Sequence, residues 1–187
     1  MQTSRFPKTI ASWLCLILPF VIGLGSDLLL KSWSFNSLVK STYIDPEGRM
    51  QVNSVEHELI PNILTLHSHV NYGAVFGIGQ GNRILFVIVS VMAIALLFFL
   101  FIKSAKQYTY QILLGMLLAG VLGNFYDRIV YGYVRDMIYA FPNRDIFPWI
   151  FNIADSLLCT GVGGMFIYSI FHREPIAEKT EQVPTKA

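Results

Sequence analysis

The sequence predicts a mainly α-helical integral membrane protein, with four transmembrane helices, a small β-structure outside the membrane and a loop lying on its surface. Of its 187 residues, 53% are hydrophobic and only 14% are charged, and the mean hydropathy is +0.51. A soluble domain usually carries about 25% charged residues, so a water-soluble globule does not fit, and neither does a disordered chain. The net charge of +2 is too small to indicate a nucleic-acid partner.

Charged residues are nearly absent from four windows, each close to the roughly 20 apolar residues that a membrane span needs. The windows cover residues 9–26, 84–102, 107–126 and 146–171. From them we predict spans at about 10–30, 84–102, 108–127 and 149–171. A cleaved signal peptide is the alternative for the first window, but no small-x-small cleavage site follows it, so we expect an uncleaved anchor. The four spans then form a single polytopic domain over residues 1–172.

The distribution of lysine and arginine predicts the orientation, because these residues concentrate in short cytoplasmic segments. With a cytoplasmic N-terminus, the inner segments are 1–8, 103–106 and 172–187, and they are much richer in basic residues than the outer ones. Both termini are therefore predicted to be cytoplasmic. Residues 173–187 are expected to form a polar cytoplasmic tail.

Two segments then lie outside the membrane. The longer one, at about 32–82, contains the turn signal Asp45-Pro46-Glu47-Gly48 and a second stretch, 60–76, that is rich in β-branched and aromatic residues. This pattern predicts a hairpin and a small β-structure. The shorter segment, 129–149, is rich in aromatic residues, which is typical of a loop lying on the headgroups.

Aspartates gather at the outer side of the predicted bundle. Asp27 and Asp127 end the first and third helices there, Asp136 follows in the outer loop, and Asp155 lies near the outer start of the fourth helix. At 1.5 Å per residue, Asp155 is about 9 Å inside the span, and charged residues there usually serve a function. Two neighbouring carboxylates divide into one ionised and one protonated group. Asp136 is the best partner for Asp155, because the loop between them can fold back.

A structural polar network at the interface is the alternative interpretation of these charges. Asp27 and Lys31 have the i, i+4 spacing of a helical ion pair, and Asn124, Asp127 and Arg128 share one helix face. Arg128 could hold a carboxylate or a substrate carbonyl.

A metal site is a weaker alternative. His67 and His69 lie on one face of a predicted strand and could share a metal, but no third ligand stands near them in the sequence. We therefore expect neither a metal nor a cofactor.

Small residues recur every four positions on the predicted third helix, at Gly115, Ala119 and Gly123. Such a line allows a second helix to approach closely. It predicts helix packing rather than a binding site.

Short motifs follow one another between and around the predicted spans. They are Asp27-x-x-x-Lys31, Asn71-Tyr72-Gly73-Ala74-Val75-Phe76-Gly77, Gly123-Asn124-Phe125-Tyr126-Asp127-Arg128 with Gly132-Tyr133-Val134-Arg135-Asp136, and Phe151-Asn152-Ile153-Ala154-Asp155-Ser156. Each motif is short, but in this order, with four spans, they are specific. Over most of its length the chain resembles lipoprotein signal peptidase, also called signal peptidase II.

The resemblance implies an intramembrane aspartic endopeptidase of the bacterial inner membrane, with an extracytoplasmic β-cradle and its active site toward the extracytoplasmic face. Its catalytic aspartates fall on Asp136 and Asp155. The implied substrates are diacylglyceryl-modified prolipoproteins in membrane lipid, cut just before the lipid-modified cysteine. The cyclic peptide globomycin is expected as an inhibitor, and no cofactor is implied.

The resemblance also implies roles for the polar residues around the dyad. Residues that line or support the substrate site fall on Asn71, Gly73, Asn124, Arg128 and Asn152. Asp27, Lys31 and Asp127 are expected to be structural polar residues.

The chain departs from the family pattern at three places. Met137 stands where the family usually has Phe, Arg135 adds a positive charge beside Asp136, and extra residues around 42–58 lengthen the outer segment. Non-catalytic alternatives are an ion- or lipid-handling membrane protein that uses the aspartates as ligands, and an inactive relative that binds lipopeptides.

Overall fold

The computed structural model describes residues 9–73, 79–142 and 150–172. Its helices are α1 (Ile10–Leu38), α2 (Arg83–Lys103), α3 (Tyr108–Val130) and α4 (Ile153–Phe171). Its strands are β1 (Val39–Ile44), β2 (Met50–Ser54), β3 (His57–Ile60), β4 (Leu64–Asn71), β5 (Val134–Ala140) and β6 (Ile150–Phe151). In this part of the chain, four helices are long and apolar enough to cross a membrane. The predicted fold class is confirmed. The predicted tail at 173–187, the basic residues of 1–8 and the end of the aromatic loop lie outside the described residues.

The first helix is longer than predicted. It continues past residue 30 to Leu38, so the predicted β-rich segment 32–82 starts as helix, and its first strand begins only at Val39. The charges of Asp27 and Lys31 do not end the helix, because they form a fully buried ion pair with 2.7 Å between Oδ2 and Nζ.

The fourth helix begins at Ile153 rather than near residue 149. Asn152 caps its first turn, because the Asn152 side chain accepts a hydrogen bond of 2.9 Å from the backbone N–H of Asp155. Such an N-cap marks the point where extended chain turns into helix, and the residues just before it form the short strand β6.

Helix α3 lies at the centre of the bundle, and the other three helices pack around it. Two glycines allow the close approach. A Cβ at Gly115 would lie 2.3 Å from the carbonyl oxygen of Leu16 in α1, and a Cβ at Gly120 would lie 2.6 Å from the carbonyl oxygen of Ala154 in α4. The predicted line of small residues is therefore a helix contact.

Exchanging Gly115 for alanine is expected to lower the free energy of unfolding by about 1–3 kcal/mol, because the added methyl group meets rigid backbone. The matched control is Gly163→Ala in α4, since a Cβ there has no described atom within 4 Å. Thermal unfolding in detergent measures both variants. Equal midpoints would contradict the close approach of α1 to α3.

The outer faces of the bundle are apolar. In α2, the described side chains are largely exposed, and Phe101 is the buried one. The large exposed side chains of this helix include Ile84, Ile88, Val91, Met92, Leu96 and Phe99. Because the helical backbone satisfies its own polar groups, such a surface suits hydrocarbon.

The strands lie at one end of the bundle. β3, β4, β5 and β6 form an antiparallel sheet in that order, and β1 pairs with β2 across the turn predicted at Asp45-Pro46-Glu47-Gly48. The sheet packs on the end of α1 through Leu38, Leu66 and Met137. Met137, which departs from the family pattern, is fully buried in this cluster, where its flexible side chain fills the core.

Candidate active site

Asp136 lies in β5, on the sheet that covers the end of the bundle. In the register of β4 with β5, it stands opposite His69, two residues before the end of β4 at Asn71. Its side chain is 1% exposed, and its two oxygens accept hydrogen bonds from the Nδ2 atoms of Asn71 (3.0 Å) and Asn152 (2.6 Å). Strand pairing thus brings an amide 65 residues away onto this carboxylate.

Asp155 lies in the first turn of α4 and is half-buried. Its Oδ2 accepts from the backbone N–H of Asn152 at 3.3 Å, which completes a capping box. Its Oδ1 accepts from Nδ2 of Asn124 in α3 at 2.7 Å. The carboxylate is therefore held by α3 and by its own helix start, where the helix dipole favours negative charge.

Two asparagines connect the aspartates. Nδ2 of Asn152 lies 2.6 Å from Oδ1 of Asp136 and 3.1 Å from Oδ1 of Asn124, which in turn donates to Asp155. Asn152 therefore contacts both aspartates, Asp136 through its side chain and Asp155 through its backbone N–H, while a joint catalytic role of the two stays a prediction. The family resemblance placed Asn152 at the site, and the structure adds that it is the N-cap of α4.

Arg128 binds a backbone carbonyl group rather than a carboxylate. It donates to the carbonyl oxygen of Gly73 at 2.9 Å, and its guanidinium lies 4.7 Å from the ring centroid of Phe86. The N–H of Gly73 donates to Oδ1 of Asn71 at 2.9 Å. Arg128 thereby fixes the turn that follows Asn71, and α2 forms the wall beside it.

The other predicted structural residues form a buried ion cluster. Lys31 lies 2.7 Å from Asp27 and 3.2 Å from Asp127, and Asp127 also binds the Arg135 guanidinium at 2.8 Å. Asp27 additionally accepts the backbone N–H of Ala154 at 2.9 Å. Two acids and two bases neutralise one another inside the protein, and they tie α1, α3, β5 and α4 together.

The shared helix face of Asn124, Asp127 and Arg128 does not give them a shared role. Asn124 bonds to Asp155, Asp127 points into the ion cluster, and Arg128 reaches the turn at Gly73. The connection that sequence reasoning missed is Arg135 with Asp127, because no helical or strand spacing relates a residue in a helix to one in the following strand. The guanidinium of Arg135 consequently binds Asp127 rather than the adjacent Asp136.

The environment of Asp136 favours its protonated form. Burial, together with the neighbouring Asp155 carboxylate, raises the pKa of Asp136 to about 8. The hydrogen bonds from Asn71 and Asn152 act in the opposite direction without offsetting the burial. One carboxyl of the pair thus keeps a proton at neutral pH.

The described residues contain no group of three His, Cys, Asp or Glu side chains placed to hold a metal ion. The β4–β5 pairing is irregular between Leu66 and His69, an interval that contains His67, and His67 faces Glu56 at 3.7 Å.

The fold and the site define a polytopic membrane protein. At one end of its helical bundle lie two aspartates that are hydrogen-bonded to neighbouring asparagines. The sequence pattern of the family described as signal peptidase (SPase) II matches residues 19–171. The chain belongs to this family.

Relatives and solved structures agree with this assignment. The lipoprotein signal peptidase of Halalkalibacterium halodurans is 39% identical over 113 residues, which is 60% of this chain and 72% of that protein. The lipoprotein signal peptidase of Lactobacillus gasseri is 40% identical over 121 residues, 64% of this chain and 76% of that protein. Two solved bacterial membrane enzymes, obtained by the in meso method at 2.3 Å and 1.9 Å resolution, are 29% and 30% identical. Their TM-scores are 0.72 and 0.70, covering 94% and 91% of this chain and 97% and 99% of theirs.

Proposed function

We propose that this protein is an aspartic endopeptidase that removes the signal peptide from diacylglyceryl-modified prolipoproteins, cutting just before the lipid-modified cysteine. The observation that carries the proposal is that Asn152 donates a hydrogen bond to each aspartate, through its side chain to Asp136 and through its backbone N–H to Asp155. Membership of the signal peptidase II family supports the peptidase class and a prolipoprotein substrate. The aspartic mechanism rests on the geometry of the pair.

In the proposed mechanism, Asp155 is the ionised base and Asp136 is the protonated acid. Asp155 takes a proton from a water molecule, whose oxygen attacks the scissile carbonyl carbon while Asp136 donates its proton to the carbonyl oxygen. As the C–N bond breaks, Asp155 returns its proton to the leaving amine, and Asp136 recovers its proton from the collapsing intermediate. The raised pKa of Asp136 and the position of Asp155 at a helix N-terminus support this division.

The supporting residues hold this arrangement. Asn124 and Asn152 orient the two carboxylates, and Asn71 fixes Asp136 from the side of the sheet. Arg128 and Gly73 keep the turn after Asn71 in place. The site is bounded by α2 and α4, so the signal helix and the acyl chains can remain in lipid beside it.

The proposed orientation places both termini in the cytoplasm and the aspartates near the extracytoplasmic surface of the bacterial inner membrane. The positions of the basic residues support it. Surrounding membrane lipid is the expected medium, and globomycin is the expected inhibitor.

A cleavage assay tests the proposal. Purified protein in lipid micelles is incubated with a diacylglyceryl-modified prolipoprotein. We expect a product beginning with the modified cysteine, detected by mass spectrometry, and none from the unmodified precursor. Globomycin should suppress the product. If the diacylated precursor stays intact, the protein is an inactive relative or handles lipids or ions instead.

The cleavage rate should fall in alkaline solution. Because the pKa of Asp136 is raised to about 8, its acidic proton is present below that pH and is lost as the pH rises through it. A profile of kcat/KM from about pH 6 to about pH 10 should therefore turn down near pH 8. A rate that stays constant throughout this range contradicts the role of Asp136 as acid.

A further inference from the structure

A polar cavity lies between the β1–β2 hairpin and the end of β4. Its volume is about 120 Å³, which exceeds the share of roughly 30 Å³ that one water molecule takes in the liquid. The polar residues that line it are Arg49, Gln51, His69, Asn71, Tyr72 and Gln80. The cavity therefore has room for a small side chain or a length of backbone.

The walls of the cavity are held in place by hydrogen bonds. Arg49 of the hairpin donates to Oε1 of Gln80 at 2.7 Å, and the hydroxyl of Tyr72 donates to the carbonyl oxygen of Met50 at 3.1 Å. The backbone N–H of Gly81 donates to the carbonyl oxygen of Tyr72 at 3.2 Å. The hairpin is thus fixed against both sides of the cavity.

Two side-chain amides that line the cavity each have one polar group outside the hydrogen bonds of the described residues. Gln51 donates through Nε2 to Asp45 at 3.2 Å, and Gln80 accepts through Oε1 from Arg49. Among the described residues, Oε1 of Gln51 and Nε2 of Gln80 have no partner. One free acceptor and one free donor match the N–H and C=O that a peptide group presents.

The charges around the cavity disfavour an anion. The guanidinium of Arg49 contacts Oδ2 of Asp45 at 3.1 Å and also the carboxylate of Glu47. These three side chains carry two negative charges and one positive charge. The arginine is therefore neutralised, and an acidic ligand would meet a net negative surrounding.

The cavity borders the aspartate pair through one residue. Asn71 lines the cavity, and its own Nδ2 lies 3.0 Å from Oδ2 of Asp136. A substrate chain leaving the cleavage point on the side of the mature protein turns away from the membrane, because its signal helix and acyl chains stay in lipid. At about 3.3 Å per extended residue, the two or three residues after the modified cysteine can pass Asn71 into the cavity.

We propose that this cavity is the subsite for the first residues of the mature lipoprotein after the modified cysteine. It takes their peptide groups and an uncharged polar side chain, and it disfavours an acidic one. The inference rests on the proposed function. The hairpin that forms one wall lies within residues 42–58, the outer segment expected to be longer than is usual in the family.

The test compares two substrates with the double variant Gln51→Leu/Gln80→Leu. One substrate is a diacylated precursor that continues several residues past the cysteine, and the other ends at that cysteine as an amide. The variant should raise KM for the longer substrate by about tenfold, the effect of losing one or two neutral hydrogen bonds, with kcat unchanged. It should cleave the shorter substrate like wild type.

The control variant is Asn53→Ala, because the amide of Asn53 bonds to Ser41 across the hairpin rather than facing the cavity. It should leave both substrates unaffected. If the double variant raises KM equally for both substrates, the hairpin has only a structural role. If it raises KM for neither substrate, the proposed subsite is wrong. If wild type cleaves neither substrate, the proposed function itself fails.

Charge selectivity gives a second measurement. Wild type should cleave a precursor with aspartate directly after the cysteine several-fold more slowly than one with serine. In the variant Glu47→Gln, which removes an exposed negative charge, the cleavage rates of the two precursors should lie closer together. An equal preference for both precursors in wild type contradicts the charge argument.

Discussion

Replacing Asp136 or Asp155 by asparagine is expected to abolish measurable prolipoprotein cleavage, with a loss of kcat of about 10²–10⁴-fold or more. In the proposed mechanism, each replacement removes one of the two groups that move a proton, and asparagine can neither take the proton from water nor donate one to the carbonyl oxygen. The variants should still fold, because an amide of the same shape keeps part of the hydrogen bonding from Asn71, Asn124 and Asn152.

The double variant separates a joint mechanism from two independent contributions. Because the carboxyls act as a unit, changing both should cost little more than changing one. Glu56→Gln is the matched control, since its carboxylate lies 61% exposed in the β region, away from the pair. The thermal unfolding midpoint of each variant shows whether it is still folded. Cleavage at a near wild-type rate by either folded single variant would overturn the assignment.

The positions of the two aspartates in the sequence indicated that they would lie close together, while their catalytic role stays a prediction. Asp155 stands inside an apolar window without a basic residue one helical turn away, and Asp136 follows in the only short outer segment able to fold back onto it. The cost of an unpaired charge in lipid makes such positions informative. The same cost explains why the spans could be predicted, because it keeps charged residues out of the segments that cross the membrane.

The ends of the helices were harder to predict, because they depend on partners distant in the chain. Asp27 and Lys31 look like an interfacial stop, yet α1 continues through them to Leu38, because Asp127 completes their burial. No local spacing indicates that Asp127 will lie 3.2 Å from Lys31. A buried charge cluster is a tertiary feature, so propensity and periodicity cannot predict it.

The cavity beside the hairpin was also beyond sequence reasoning. The turn at Asp45-Pro46-Glu47-Gly48 was predicted, but the contact of Arg49 with Gln80 joins residues 31 positions apart on either side of β4. Register irregularities in β1, β3 and β4 shift which side chains meet. Only the assembled strands reveal that the hairpin faces Asn71.

The largest loss of stability is expected for Lys31→Met. The lysine ammonium is fully buried against Asp27 and Asp127, and removing one partner of a buried pair costs about 3–5 kcal/mol in the free energy of unfolding. Arg135 continues to neutralise Asp127, so the unpaired charge falls on Asp27. We expect a lower thermal midpoint in detergent and a lower yield of folded protein. Lys40→Met is the matched control, because Lys40 is exposed on β1.

A second exchange decides whether the unpaired charge or the loss of packing causes the lower stability of Lys31→Met. Asp27→Asn in the Lys31→Met background removes the unpaired carboxylate while its amide oxygen can still accept the backbone N–H of Ala154. The double variant should therefore be more stable than Lys31→Met alone, and Asp27→Asn alone should reduce yield more than it reduces the turnover of folded protein. If the double variant is no more stable than Lys31→Met, the loss comes from packing. If folded Asp27→Asn is inactive, the ion cluster takes part in the chemistry, and the scaffold role assigned to it is wrong.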